Sequence, residues 1–208
     1  MRKPVKHLFL LSLLALVMAA CGPLPVNIDL LPTLKQNGYD HGSFSETVAV
    51  VPGTELTDQD LKLPDENGYA FTFQVPDLPA TPSSLVLNYE VELGYQVACI
   101  DNLDGQIQAQ IYLAGPSADL WASPLKDASV LATIRNQDTL TLKGQAQLNQ
   151  DQLYAVLNGS LVLGIELKTE GLSGQASTDD ACIQDSETQV TISGEYQIKQ
   201  AVIEARFL

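Results

Sequence analysis

With 25 Asp and Glu against 11 Lys and Arg, the 208-residue chain carries a formal charge of −14. That balance excludes nucleic acid as a partner and excludes lying flat on anionic lipid, since both require clustered cations. Apolar residues make up 45% of the chain, an ordinary globular share that excludes wholesale disorder.

The chain opens with Arg2, Lys3 and Lys6, followed by an apolar run from Leu8 to Ala20 broken only by Ser12. A cationic start, a short apolar stretch and small residues before a cut are the marks of a secretory signal peptide, here residues 1–20. The run is shorter than the roughly 20 apolar residues that span a bilayer. It ends in Met18-Ala19-Ala20-Cys21. This end resembles the lipobox of bacterial lipoprotein precursors, with Met18 where that family usually has Leu. The resemblance covers these first residues only. It implies that Cys21 is the lipid-attachment residue, that the protein is membrane-anchored outside the cytoplasm, and that Gly22, in place of an Asp, directs it to the outer membrane where the cell has one. All three cations before Cys21 are lost with the signal and no acid is, so the chain from Cys21 onward carries −17.

Residues 21–43 are rich in Pro, Asn, Gly and Asp and read as a tether, with Val26, Ile28, Leu30 and Leu31 as material for a first strand. From 44 to 208 period-two alternation dominates, and it places one face of each strand inward. Tyr69, Phe71, Phe73 and Val75 alternate with polar or small neighbours, as do Leu85, Leu87, Tyr89 and Val91. The pattern recurs at Ile107, Ala109, Ile111 and Leu113, at Leu140 and Leu142, at Val190 and Ile192, and at Ile203, Ala205 and Phe207. Turn pairs such as Pro52-Gly53, Asp104-Gly105 and Asn158-Gly159 separate these runs. The expectation is an all-β, antiparallel β-sandwich. One segment breaks the alternation: residues 150–158 predict a short connector helix, capped by Asn149 and ended by Asn158-Gly159.

An internal repeat is visible between 84–114 and 160–193. Ser84-Leu85-Val86-Leu87 recurs as Ser160-Leu161-Val162-Leu163, and Ala98-Cys99-Ile100 as Ala181-Cys182-Ile183. It predicts a sandwich of two similar halves. In an exported protein Cys99 and Cys182 read as a disulfide.

Catalytic motifs are missing from the sequence. One histidine, His41, follows the signal segment, and no Gly-x-Ser-x-Gly elbow, phosphate-binding glycine loop or His-Glu-x-x-His helix occurs. No cofactor is required. Calcium is the metal that best fits, through the oxygens of Asp101, Asp104, Asp185 and Glu187; the same residues serve equally as solvated turns. The sequence therefore reads as a lipid-anchored binding or assembly module of the cell envelope without catalytic activity, holding a protein partner. A calcium-stabilised surface module and a carrier of an apolar ligand between the sheets stand as alternatives.

Overall fold

A computed structural model describes residues 25–64 and 66–207. The signal segment and Cys21 lie outside the described residues. Two antiparallel sheets face one another. Sheet I contains β1 (Val26–Asp29), β2 (His41–Val50), β5 (Ser84–Ala98), β8 (Gln137–Gln147), β10 (Ile183–Gln184) and β11 (Glu187–Arg206). Sheet II contains β3 (Asp60–Leu63), β4 (Tyr69–Thr72), β6 (Ile100–Ala114), β7 (Pro124–Thr133) and β9 (Ser160–Ala176). The chain is a β-sandwich, and no helix among the described residues is long and apolar enough to cross a membrane.

The alternation in β5 runs further than its first four apolar residues. Leu85, Leu87, Tyr89, Val91, Leu93, Tyr95 and Val97 are all buried on one face, because successive strand side chains point to opposite sides. They meet Ile107, Ala109, Ile111 and Leu113 of β6 and Leu161, Ile165 and Leu167 of β9 in one core between the sheets.

The tether expectation is corrected by the first described residues. β1 pairs with β11 in register Val26↔Ala205 to Asp29↔Val202. A helix, α1 (Leu31–Asn37), follows; it has Pro32 in its first turn and Gly38 at φ +72° as its C-cap. Leu30 and Leu34 are buried. The segment from Val26 to Asn37 is thus part of the sandwich. Pro at a helix start and Gly just past its end are an ordinary helix signature, but seven residues are too few to display a period.

The second helix, α2 (Gln150–Leu157), falls where the sequence places it. Asn149 accepts from the Gln152 backbone N–H, and the Gln152 side chain accepts from the Asn149 N–H, which closes a capping box. Gln152 also donates to the Leu113 carbonyl at 2.8 Å. The helix therefore bridges the end of sheet I and the start of sheet II over one end of the sandwich.

Two of the chain's crossings between sheets are equivalent. β5 of sheet I passes to β6 of sheet II at Cys99; β9 of sheet II passes to β11 of sheet I through residues 177–186, which contain Cys182. β5 pairs with β11 and β6 with β9. Exchanging the pair β5/β6 for β9/β11 swaps the sheets and preserves the layout: β8 beside β5 answers to β3 and β4 beside β9, and β7 beside β6 answers to β1 and β2 beside β11. Ile107 and Val190, aligned in the sequence repeat, are both buried. The sandwich is built of two topologically similar halves.

Candidate functional site

Sheet I is uncovered on its outer face. One register row crosses four strands there, from Ser43 (β2) through Glu195 (β11) and Gly94 (β5) to Thr139 (β8). The next row brings His41, Gln197, Glu92 and Thr141 alongside. Gly94 has no side chain to fill its place, and a shallow polar depression of about 690 Å³ opens around it. A Cβ added at Gly94 would meet nothing closer than 3.8 Å, so the missing side chain leaves room rather than relieving a clash.

His41 sits at the margin of this depression. Its Nδ1 lies 3.1 Å from Oδ1 of Asp40, and its side chain is 70% exposed. The exposed ring and the polar row beside it suit hydrogen bonding to a partner surface.

The other sheet carries a denser polar cluster. Glu166 of β9 points outward, yet only 3% of it is exposed. Its Oε2 accepts from the Tyr112 hydroxyl at 2.5 Å and from the Lys168 ammonium at 2.8 Å. Asp60, on the edge strand β3, lies beside it and reaches Lys168 at 3.9 Å. Burial pushes Glu166 up, but the hydrogen bonds from Lys168 and Tyr112 outweigh it and hold the carboxyl below its ordinary range. Asp60 is raised, by burial first and by the neighbouring Glu166 charge second. Burial and the bond to Glu166 push the Tyr112 phenol up, so it stays a donor. Trp121 covers this cluster's far end: it packs edge-on against Tyr112 at 5.1 Å between ring centroids, lies over Gly164, and donates Nε1–H to the Glu66 carbonyl at 2.8 Å. Tyr112, Ala114, Leu120 and Val162 form a small apolar cluster beneath it on the outer face of sheet II. The cluster is a clamp that fixes β3 and the Trp121 turn onto β9, with Glu166 covered rather than presented. Trp121 packs on an outer face rather than in the core between the sheets. Tyr112, opposite the Ile111 phase of β6, was the available signal for that patch.

Gln106, Gln108 and Gln110 lie on the face of β6 opposite Ile107 and Ala109, and Gln110 does more than face outward. Its amide donates to the Leu125 and Ala128 carbonyls at 2.9 and 3.2 Å, where the pairing of β6 with β7 is irregular. It satisfies backbone groups that the ladder leaves open.

An apolar cavity lies between the sheets, lined by Val48, Leu61, Val97, Ile134 and Ile192 among others, with Glu46 and Asp60 at its margin. Its volume is about 80 Å³, well below the roughly 300 Å³ at which ligand pockets begin. In this conformation it has no room for a lipid-sized ligand.

The predicted site residues separate into two outcomes. Cys99 and Cys182 are brought together, with sulfurs 2.17 Å apart and Cα atoms 5.5 Å apart. The four acids are not gathered into a cation site: among the described residues no three His, Cys, Asp or Glu side chains converge on one point. Asp185 and Ser186, both at positive φ, form the two-residue turn of the β10–β11 hairpin between Gln184 and Glu187, a geometry that favours Asp and Asn for backbone reasons. Asp104 accepts from the Gly105 N–H at 2.9 Å. Asp101 and Glu187 are exposed near the starts of β6 and β11. The turn reading of these residues accounts for them, and the proposed ligand set Asp101, Asp104, Asp185 and Glu187 is withdrawn.

No protein-family model matches the chain, and no curated protein matches it. Among solved structures it is similar to the Triatoma virus empty capsid, at 13% identity over 80% of this chain and 88% of that chain, with a TM-score of 0.31. It is also similar to a chain of deformed wing virus, a honeybee pathogen, at 9% identity over 78% of this chain and 47% of that one, with a TM-score of 0.33. A marine algae virus of the order Picornavirales gives 11% identity, 77% and 68% coverage and a TM-score of 0.31. Likeness at that level carries no argument about what this chain does.

Proposed function

We propose that this chain is a lipid-anchored, non-catalytic module of the bacterial cell envelope that holds a protein partner against the outer face of sheet I. The lipobox-like end at Cys21 supports the anchor, and a cystine between Cys99 and Cys182 suits a compartment outside the cytoplasm. Where the cell has two membranes, Gly22 favours the outer one. The observation that carries the binding role is the depression around Gly94, an uncovered polar row across β2, β11, β5 and β8. Glu195 gives that row a carboxylate, while Glu92 is paired with Lys199 at 3.1 Å, so the row suits a partner presenting amide donors and one Lys or Arg for Glu195.

The test is native gel migration after mild detergent extraction from the protein's own membranes, with mass spectrometry of the band. Gly94→Arg is run beside the natural chain, since the site has room for a side chain. A heavy band with stoichiometric companions that Gly94→Arg loses is the expected result. Migration alone, by the natural chain, would overturn the reading.

A further inference from the structure

The two ends of the sandwich differ in charge and in composition. One end holds the start of β1, the end of β11, the start of β5, the end of β8, α2 and the start of β9. The stretches 67–83 and 144–165, which build much of it, contain one charged residue each, Asp77 and Asp151. Tyr154 is 54% exposed there, on α2, and Val75 and Leu78 are half-buried in the loop after β4. The opposite end holds the β5–β6 and β9–β10 crossings and the cystine that joins them. Around it Asp101, Asp104, Asp179, Asp180, Asp185 and Glu187 are all exposed.

The chain enters the fold at the less charged end. β1 starts at Val26, only Gly22 to Pro25 separate it from Cys21, and four residues reach at most about 14 Å. β5, at 15 residues, runs roughly 50 Å from one end of the sandwich toward the other.

From these relations we infer that the sandwich stands upright on the lipid surface, with the α2 end against the bilayer and the Cys99–Cys182 end roughly 50 Å away. This rests on the lipoprotein reading of Cys21. The short connection holds the first strand near the headgroups. With fewer carboxylates than the other end (Asp77, Asp151 and a Glu204 paired with Arg206), the α2 end approaches lipid at a lower desolvation cost, and Tyr154 offers a ring with a polar tip suited to the interface. The acidic end is kept off the surface by the same electrostatics that would oppose lying flat. Upright standing also leaves the outer face of sheet I perpendicular to the membrane and open to a partner from the side.

The experiment uses the full lipidated protein in vesicles of phosphatidylethanolamine and phosphatidylglycerol. A bimane label is placed on Tyr154→Cys at the α2 end or on Gln137→Cys at the opposite end of β8, both exposed positions. Headgroup nitroxide lipids serve as quenchers, and radiolabelled palmitate incorporation is read on the same samples, with Cys21→Ser as its control. Expected are several-fold stronger quenching at 154 than at 137, and palmitate incorporation that Cys21→Ser abolishes. Incorporation with equal quenching at both sites means the domain lies flat, and incorporation with no quenching at either means it stands off the surface. Either result overturns the orientation and leaves the lipoprotein reading intact. Absence of palmitate from the natural chain overturns both.

Discussion

The bond between Cys99 and Cys182 joins two of the points at which the chain crosses from one sheet to the other, the β5–β6 and β9–β10 connections. It closes a sequence separation of 83 residues. In the chain-entropy account such a loop contributes about 4–5 kcal/mol by restricting the unfolded state. The double variant Cys99→Ala/Cys182→Ala is therefore expected to lose stability of that order while keeping its strand content. Urea unfolding followed by circular dichroism checks it, with reductant added to the natural chain as the second measurement. An unchanged midpoint in both would show that the crossing geometry stands without the bond.

Glu166 gives the fold a pH dependence whose sign follows from its partners. Its folded pKa lies below the ordinary carboxylate value, so its contribution is present above the unfolded pKa and is lost as pH falls through the folded one. Asp60 works in the opposite direction. Its raised folded pKa gives a contribution present below the unfolded value and lost as pH rises through the folded one. At neutral pH, Glu166→Gln is expected to cost about 2 kcal/mol, the scale of a charge-assisted hydrogen bond. Asp60→Asn is expected to be no less stable than the natural chain there, since it removes a repulsion. Denaturation midpoints from pH 3 to 8 read both, and the Glu166→Gln deficit should shrink toward the acid end. A deficit that stays constant across the range would refute the linkage.

Two neighbouring glycines should respond to alanine in opposite ways. At Gly94 an added Cβ meets only Thr139 Oγ1 at 3.8 Å and the Glu195 carbonyl at 3.9 Å. At Gly194 it would come within 2.0 Å of the Gly94 carbonyl and 2.7 Å of the Phe44 ring. Backbone cannot yield as a side-chain tip can. Gly194→Ala is thus expected to cost about 3 kcal/mol by overpacking, and Gly94→Ala less than about 0.5 kcal/mol. Thermal unfolding of the pair decides it; comparable losses at both sites would mean that the close approach of β5 and β11 relaxes easily.

The parts of the fold legible in the sequence are those written in strong periods. β5 and β6 announce themselves because one face is buried along their whole length, and α2 because its cap residues and period coincide. β2 carries no such period: as an edge strand it buries Phe44 but leaves most of its side chains exposed, so nothing imposes alternation on it. β7 failed for a similar reason, with Leu125 and Ala128 buried three positions apart across a pairing irregularity. The cystine was readable because the signal-like start of the sequence and the cysteine count point to it together. The depression at Gly94 was not, since it exists only when four strands distant in sequence share a register row. The acids of the hairpin turn were legible both as carboxylates and as turn residues; what selects the turn is positive φ at Asp185 and Ser186, a property of the β10–β11 register that no local spacing displays.

β11 shows how a period can be interrupted without being lost. Val190, Tyr196 and Ile198 are buried at even positions, and Ala201, Ile203 and Ala205 at odd ones. The change of phase has a place: Ile198 pairs with Val91 and Gln200 with Glu90, leaving Lys199 as one extra residue against β5. This is a β-bulge. It falls where the partner on the other edge of β11 changes from β2 to β1, so the added twist serves both neighbours. Deleting Lys199 would leave every other residue opposite its present partner on β5 and facing its present side. The loss is the exposed Lys199–Glu92 ion pair, 3.1 Å long, worth under about 1 kcal/mol, together with the local twist. Deleting Glu195 instead shifts one part of β11 by a single position against its neighbours, which turns buried side chains outward or exposed ones inward. The Lys199 deletion is expected to give soluble, cooperatively unfolding protein, and the Glu195 deletion to give neither. Soluble yield and thermal unfolding of the two deletions read the difference. Equal collapse of both would show that the bulge itself, rather than the inward and outward order it separates, holds β11 between β5 and its two edge strands.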